Sequence, residues 1–199
     1  YNHNLHEHED VLLGYRNFEE YISDQSYLNC IVGRVCGRIA NAQFNLNDHT
    51  YELFSNDGHH HLHGGRSGFN KKVWHIDSLD EKSGEISCEL HYKSSHLEEG
   101  YPGNLECRTK YILNDNDEFI IQFYATSDHD TLVNLTNHNY WNFHGHKKFY
   151  QKIIGHCLEI HSCSYCEIDK NFIPTGKINN ANKTKYDFSS FKKINNYEL

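Results

Sequence analysis

Cys107-Arg-Thr-Lys-Tyr-Ile-Leu-Asn-Asp-Asn-Asp-Glu-Phe-Ile-Ile-Gln-Phe-Tyr-Ala125 decides the fold class. In its first half Cys107, Thr109, Tyr111 and Leu113 alternate with Arg108, Lys110 and Ile112, and in its second half Phe119, Ile121, Phe123 and Ala125 resume the same period. Successive side chains of a strand point to opposite faces, so a period of two buries one face of a sheet and wets the other. Between the halves, Asn114-Asp-Asn-Asp117 supplies residues that accept tight-turn backbone angles. The stretch predicts a β-hairpin.

Working outward, Ile86, Cys88, Leu90 and Tyr92 carry the same alternation against Ser87, Glu89 and His91. Gln43-Phe-Asn-Leu46 and Tyr51-Glu-Leu-Phe54 flank Asn47-Asp-His49 as a second hairpin. Lys72-Val-Trp-His-Ile-Asp77 and Ile153-Ile-Gly-His-Cys-Leu-Glu-Ile160 predict further strands. Helical periodicity is confined to Asn17-Phe-Glu-Glu-Tyr-Ile22, a turn or two capped by Asn17. The 14 Tyr and 11 Phe fit pleated surfaces better than helices. We therefore expect an all-β chain built as a large antiparallel β-sandwich or a related large antiparallel sheet assembly. No repeat, low-complexity tract or linker interrupts it, so residues 1–199 read as a single domain. Toward the end, Asn179-Asn-Ala-Asn-Lys-Thr-Lys185 predicts a loop and Asp187-Phe-Ser-Ser-Phe-Lys-Lys-Ile194 only a weak element. The chain has no methionine and stops at Leu199 without a closing strand, so we expect a truncated domain.

Composition narrows the partners. The formal net charge of −8 and the lack of a basic block argue against nucleic acid. No apolar run approaches the roughly 18 residues of a membrane span, and the polar start, Tyr1-Asn-His-Asn-Leu-His-Glu-His8, is not a signal peptide and reads as flexible. Seven cysteines form no secreted-framework spacing, which predicts buried, reduced thiols in a cytoplasmic protein. We also expect a monomer or weak dimer.

Asn134-Leu-Thr-Asn-His-Asn-Tyr-Trp-Asn-Phe143 holds the chemistry. The imidazole of His138 gives or takes a proton near neutral pH at modest cost. Asn137, Asn139 and Tyr140 bring donors and acceptors for hydroxyls, and Tyr140 and Trp141 bring apolar faces on which a sugar ring stacks. The competing reading is a core histidine bonded to backbone. His59, His60, His61 and His63 invite a zinc reading, with His61 and His63 on one strand face, yet no third ligand falls at a familiar spacing, so no metal is expected. Cys163-x-x-Cys166 lacks the strand-to-helix setting of a redox motif. Arg34 and Arg38 sit in an apolar run and need acceptors, either structural carboxylates or ligand oxygens.

Gly33-Arg-Val-Cys-Gly-Arg-Ile-Ala40, Leu62-His-Gly-Gly65 with Gly68, Phe69 and Trp74, Gly100-Tyr-Pro-Gly103, Asn134-Leu-Thr-Asn-His138 and Ile173-Pro-Thr-Gly176 occur in that order. This series resembles the aldose 1-epimerases, or galactose mutarotases, as does Val11-Leu-Leu-Gly14 with Phe18 and Tyr21. The resemblance implies the mutarotase-like supersandwich and cofactor-free interconversion of the α and β anomers of a free aldohexose such as galactose or glucose. It implies His138 as the acid that protonates the ring oxygen and His63 as a substrate-contacting histidine that supports charge there. It likewise implies that Arg38 binds the sugar, with Asn139 and Tyr140 in the sugar-contacting stretch. Gly37 stands where the family usually has asparagine. The family's later Asp-His pair and the glutamate that takes the C1-hydroxyl proton have no counterpart in these residues, nor do its initial strands. We therefore expect a fragment, short at both ends and by about a third, that is inactive alone. The other reading is a non-catalytic sugar-binding or regulatory protein on the same fold.

Overall fold

The computed structural model describes residues 10–145 and 153–194; the polar start at residues 1–8 lies outside them. The chain divides into two compact units, one of Cys30–His138 and one of Tyr1–Asn29 with Asn139–Leu199. Both are β-rich, and the only α-helix among the described residues is a single short one. No helix among the described residues is long and apolar enough to cross a membrane.

In chain order the first unit holds β1 (Ile31–Val32), β2 (Arg38–Ile39), β3 (Gln43–Leu46), β4 (His49–Glu52), β5 (His61–Leu62), β6 (His75–Lys82), β7 (Glu85–Ser94), β8 (Leu105–Asn114), β9 (Phe119–Ser127) and β10 (Thr136–Asn137). β6, β7, β8 and β9 form one antiparallel sheet in that order. The β8–β9 hairpin is the one the opening stretch predicts, with Cys107 opposite Ala125 and Leu113 opposite Phe119. Its turn is closed by Asn114, whose Oδ1 accepts the N–H groups of Asn116 and Glu118, while Asp117 takes a φ of 60°. The second expected hairpin is β3–β4, and Asn47 and Asp48 both have positive φ, as the two-residue turn with the right strand twist requires.

Register places Tyr92 opposite Cys107 and Leu90 opposite Thr109, so the apolar residues share one sheet face. At one end of that face Leu105 and Cys107 are each 1% exposed, packed with Ile31, Phe69, Trp74, Phe123 and Leu135. A second cluster joins Ala42, Leu53 and Tyr101 to Val35, Ile39, Phe44 and Leu132. The other face carries charge: Lys93 pairs with Glu106, and Arg108 with Glu89. The strand expected over residues 72–77 begins only at His75, because Trp74 turns into the core and its Nε1 donates to the Phe69 carbonyl at 3.2 Å.

The second unit contains α1 (Phe18–Ser23), β11 (Cys157–Leu158), β12 (Ser164–Ile168), β13 (Pro174–Asn180) and β14 (Lys192–Lys193). Asn17 caps α1 as expected, and the Glu20 carboxylate accepts the Asn17 N–H at 3.0 Å. The strand expected over 153–160 shrinks to β11, which pairs with β14 within the weak element at 187–194. β12 and β13 form a hairpin, so Asn179 and Asn180 are strand residues rather than the start of a loop.

Candidate functional site

The motif Leu62-His-Gly-Gly65 is shaped by close backbone approach. Antiparallel pairing sets Arg38 opposite Leu62 and Ile39 opposite His61. The strand ends there, His63 turns to a φ of 52°, and Gly64 follows at 87°. A Cβ on Gly64 would overlap the Gly33 carbonyl, so only glycine fits. The turn docks His63 on Gly37 through two hydrogen bonds. The His63 N–H donates to the Gly37 carbonyl at 3.0 Å, and the Gly37 N–H donates to His63 Nδ1 at 3.1 Å. His138 arrives from β10, which pairs with β1; its N–H extends that pairing to the Cys30 carbonyl at 2.9 Å. The His63 and His138 rings meet edge to face, with centroids 5.4 Å apart and planes at 87°. Arg38 donates from Nε to Asp57 Oδ2 at 2.6 Å.

Burial pushes the His63 imidazole down to about 4, helped by the positive charges of His138 and Arg38 and opposed by Asp57. His63 is therefore neutral near pH 7. Because Nδ1 accepts the Gly37 N–H, the ring proton sits on Nε2. His63 thus offers a fixed N–H donor beside a second imidazole, with a guanidinium close by. A neutral donor, a titratable imidazole and a cation suit a ligand with hydroxyl and ether oxygens whose charge changes during reaction.

Of the residues singled out in the sequence, Arg38, His63 and His138 fall in the Cys30–His138 unit. Asn139 and Tyr140 fall in the other unit, where Tyr140 donates from its hydroxyl to the Ser26 carbonyl at 2.8 Å and its N–H reaches Asn29 Oδ1 at 3.3 Å. Arg34 is structural. It is 2% exposed and donates to the carbonyls of Ser94, Ser95, Pro102 and Gly103. His61 is buried too, its ring nitrogens taken by the Phe54 carbonyl and the Tyr101 hydroxyl at 2.7 Å each. It does not share a ligand face with His63, since the strand ends between them, and no group of three metal-ligating side chains occurs among the described residues. Glu98 is engaged by Lys72, Tyr92 and Ser94. Burial would raise its carboxyl, but those hydrogen bonds outweigh burial and hold it below the ordinary value. Glu99 accepts the backbone N–H groups of Arg66 and Ser67. Sequence reasoning missed two participants. One is the Gly37 amide, which leaves no side-chain signal. The other is Asp57, whose place before Gly58 marks only a turn.

Known proteins resemble this chain along most of its length. The family model described as aldose 1-epimerase matches residues 1–197. An aldose 1-epimerase of Haemophilus influenzae is 36% identical over 185 residues, covering 93% of this chain and 52% of that protein. The galactose mutarotase of Bos taurus is 36% identical over 178 residues, covering 89% of this chain and 50% of that protein. Among solved structures, a GalM/aldose epimerase homologue from C. elegans superimposes with a TM-score of 0.79 at 31% identity, covering 93% of this chain and 55% of the other. The galactose 1-epimerase of Lactobacillus acidophilus gives a TM-score of 0.79 at 26% identity, covering 94% and 54%. The chain thus spans about half the length of the relatives it matches, rather than the two thirds expected from the sequence. Its ordered motifs, its all-β fold and these matches agree: the chain belongs to the aldose 1-epimerase family.

Proposed function

We propose that the protein of which these residues are part interconverts the α and β anomers of free aldohexoses, galactose and glucose among them, in cytoplasmic hexose metabolism. It acts through one epimerase domain, as a monomer or weak dimer. The observation that supports this most directly is the His63–His138 pair, in which backbone bonding fixes one imidazole as a neutral donor. In the reaction, protonated His138 gives its proton to the ring oxygen as a base removes the proton from the C1 hydroxyl. The C1–O bond breaks, the open-chain aldehyde forms, and reclosure on the opposite face of C1 returns both protons. His63 Nε2–H donates to the same ring oxygen and supports the charge that develops on it. Arg38 holds sugar hydroxyls, and Asn139 and Tyr140 are carried over from the family resemblance as further sugar-contacting residues. The steps are proton transfers coupled to the breaking and re-forming of one C–O bond, with no electron acceptor or donor consumed, so no cofactor is required.

No carboxylate of this chain is assigned as the base. Glu98 is held as a weakly basic carboxylate and Glu99 is spent on backbone amides, so we infer that residues 1–199 alone are nearly inactive. The test uses the product of the complete reading frame and follows the optical rotation of fresh α-D-galactose or α-D-glucose. His138→Ala is expected to slow the catalysed change by about 10²–10⁴-fold, the usual worth of a general acid. An unaffected variant would remove His138 from the mechanism. Calorimetric sugar binding without faster mutarotation by the unaltered protein would favour a sugar-binding or regulatory role.

A further inference from the structure

The guanidinium assigned to the sugar is gripped by a carboxylate that sits in its own braced turn. Asp57 and His60 exchange backbone hydrogen bonds at 3.1 and 3.0 Å around Gly58, which takes a φ of 62°. On one side Asn56 clamps the β5 backbone, donating from Nδ2 to the Leu62 carbonyl at 2.9 Å and accepting the Leu62 N–H at 2.8 Å. On the other side His60 Nδ1 accepts the Asn41 N–H at 3.1 Å. Leu62 is also the register partner of Arg38. One short stretch of backbone therefore fixes the guanidinium stem and the carboxylate relative to each other. At 2.6 Å to Nε, Asp57 grips the stem side of the arginine fork.

An ordinary surface ion pair joins two long, mobile side chains and contributes little. This pair differs, because a short aspartate on a double-braced turn pre-orders a long arginine. Ordering such a side chain at the moment of binding weakens affinity, and pre-ordering removes that cost. The carboxylate also stands against the positive charge that Arg38 projects toward His63.

We infer that Asp57 is a positioning residue for sugar binding, holding Arg38 through Nε in the orientation that receives sugar hydroxyls. This rests on the assignment of Arg38 to the sugar made above. The test is steady-state mutarotation by the complete protein carrying Asp57→Asn, Asp57→Glu, Arg38→Ala or Arg38→Ala with Asp57→Asn, with melting temperatures alongside. Asp57→Asn is expected to raise KM about ten-fold with kcat within about two-fold, and Asp57→Glu to recover part of the loss. In the Arg38→Ala background, Asp57→Asn is expected to add nothing. Asp57→Ser, which keeps a turn-forming side chain, gives the same comparison if the asparagine variant folds poorly. Unchanged KM in a folded Asp57 variant, or losses that multiply independently of Arg38, would overturn the inference. Absence of catalysis by the unaltered protein is seen before any variant is compared, and overturns the epimerase reading and this inference with it.

Discussion

Arg34 and Arg38 lie one short motif apart, and the sequence gives both the same need for acceptors. Burial separates them. Arg34 closes a ring of main-chain carbonyls, whereas Arg38 faces Asp57 in a half-buried setting. Arg34→Met would leave those carbonyls without donors, so it is expected to destabilise the complete protein by about 3–5 kcal/mol in urea unfolding. His63 carries a pH dependence whose sign follows from its depressed value. Unfolded, the imidazole titrates at the ordinary 6.5; folded, at about 4. Between those limits the unfolded chain binds more protons, so stability falls as pH falls through the window. The contribution is fully present above about pH 6.5 and lost below about pH 4, and amounts to about 3 kcal/mol. His63→Gln, which cannot titrate, is expected to flatten the decline in unfolding free energy between pH 7 and pH 4.5 by about 2–3 kcal/mol. An unchanged slope would mean that His63 is not held neutral.

Element by element, what the sequence reveals tracks how one-sided each strand is. β8 and β9 alternate cleanly and were readable to within two residues of their ends, and so was the β3–β4 turn. β6 overlaps the expected 72–77 strand only in part: Trp74 turns into the core before it, and a bulge between Ile76 and Ser78 breaks the period, putting Ile76 and Leu79 on the apolar face and sending Asp77 to His91 on the other. The β12–β13 hairpin was invisible for a different reason: β13 is exposed at nearly every position, so no buried face imposes a pattern. The site divides the same way. His138, His63 and Arg38 announce themselves as side chains in motifs, while the Gly37 amide and the Asp57 brace arise from backbone register. The β3–β4 turn also yields a prediction. Asp48 has a φ of 59°, costly for a residue with a Cβ, and Asn-Gly is the preferred sequence for this turn. Asp48→Gly is expected to raise unfolding stability by about 0.5–1 kcal/mol, with catalysis unchanged. A loss of stability would show that the Asp48 side chain supports the turn.

On the scale of the molecule, the four-stranded sheet uses only part of its apolar face. At one end Leu105 and Cys107 are closed over by Ile31, Phe69 and Trp74. At the other end Leu79 is 71% exposed and Ile86 52%, and with Cys88, Tyr111, Leu113 and Phe119 they line an open groove of about 490 Å³. The opposite face is charged, so the open apolar end is not a general property of the sheet. Each large aliphatic or aromatic side chain left in water forgoes about 1.5–3 kcal/mol of burial, and contiguous apolar surface of this kind favours association. Residues 1–199 produced alone are therefore expected to bind an apolar fluorescent dye and to self-associate as concentration rises. Leu79→Lys with Phe119→Lys places two like charges at the groove and is expected to lower both effects several-fold, with the β-sheet circular dichroism retained. Dye binding that survives both substitutions would place the exposed apolar surface elsewhere in the chain.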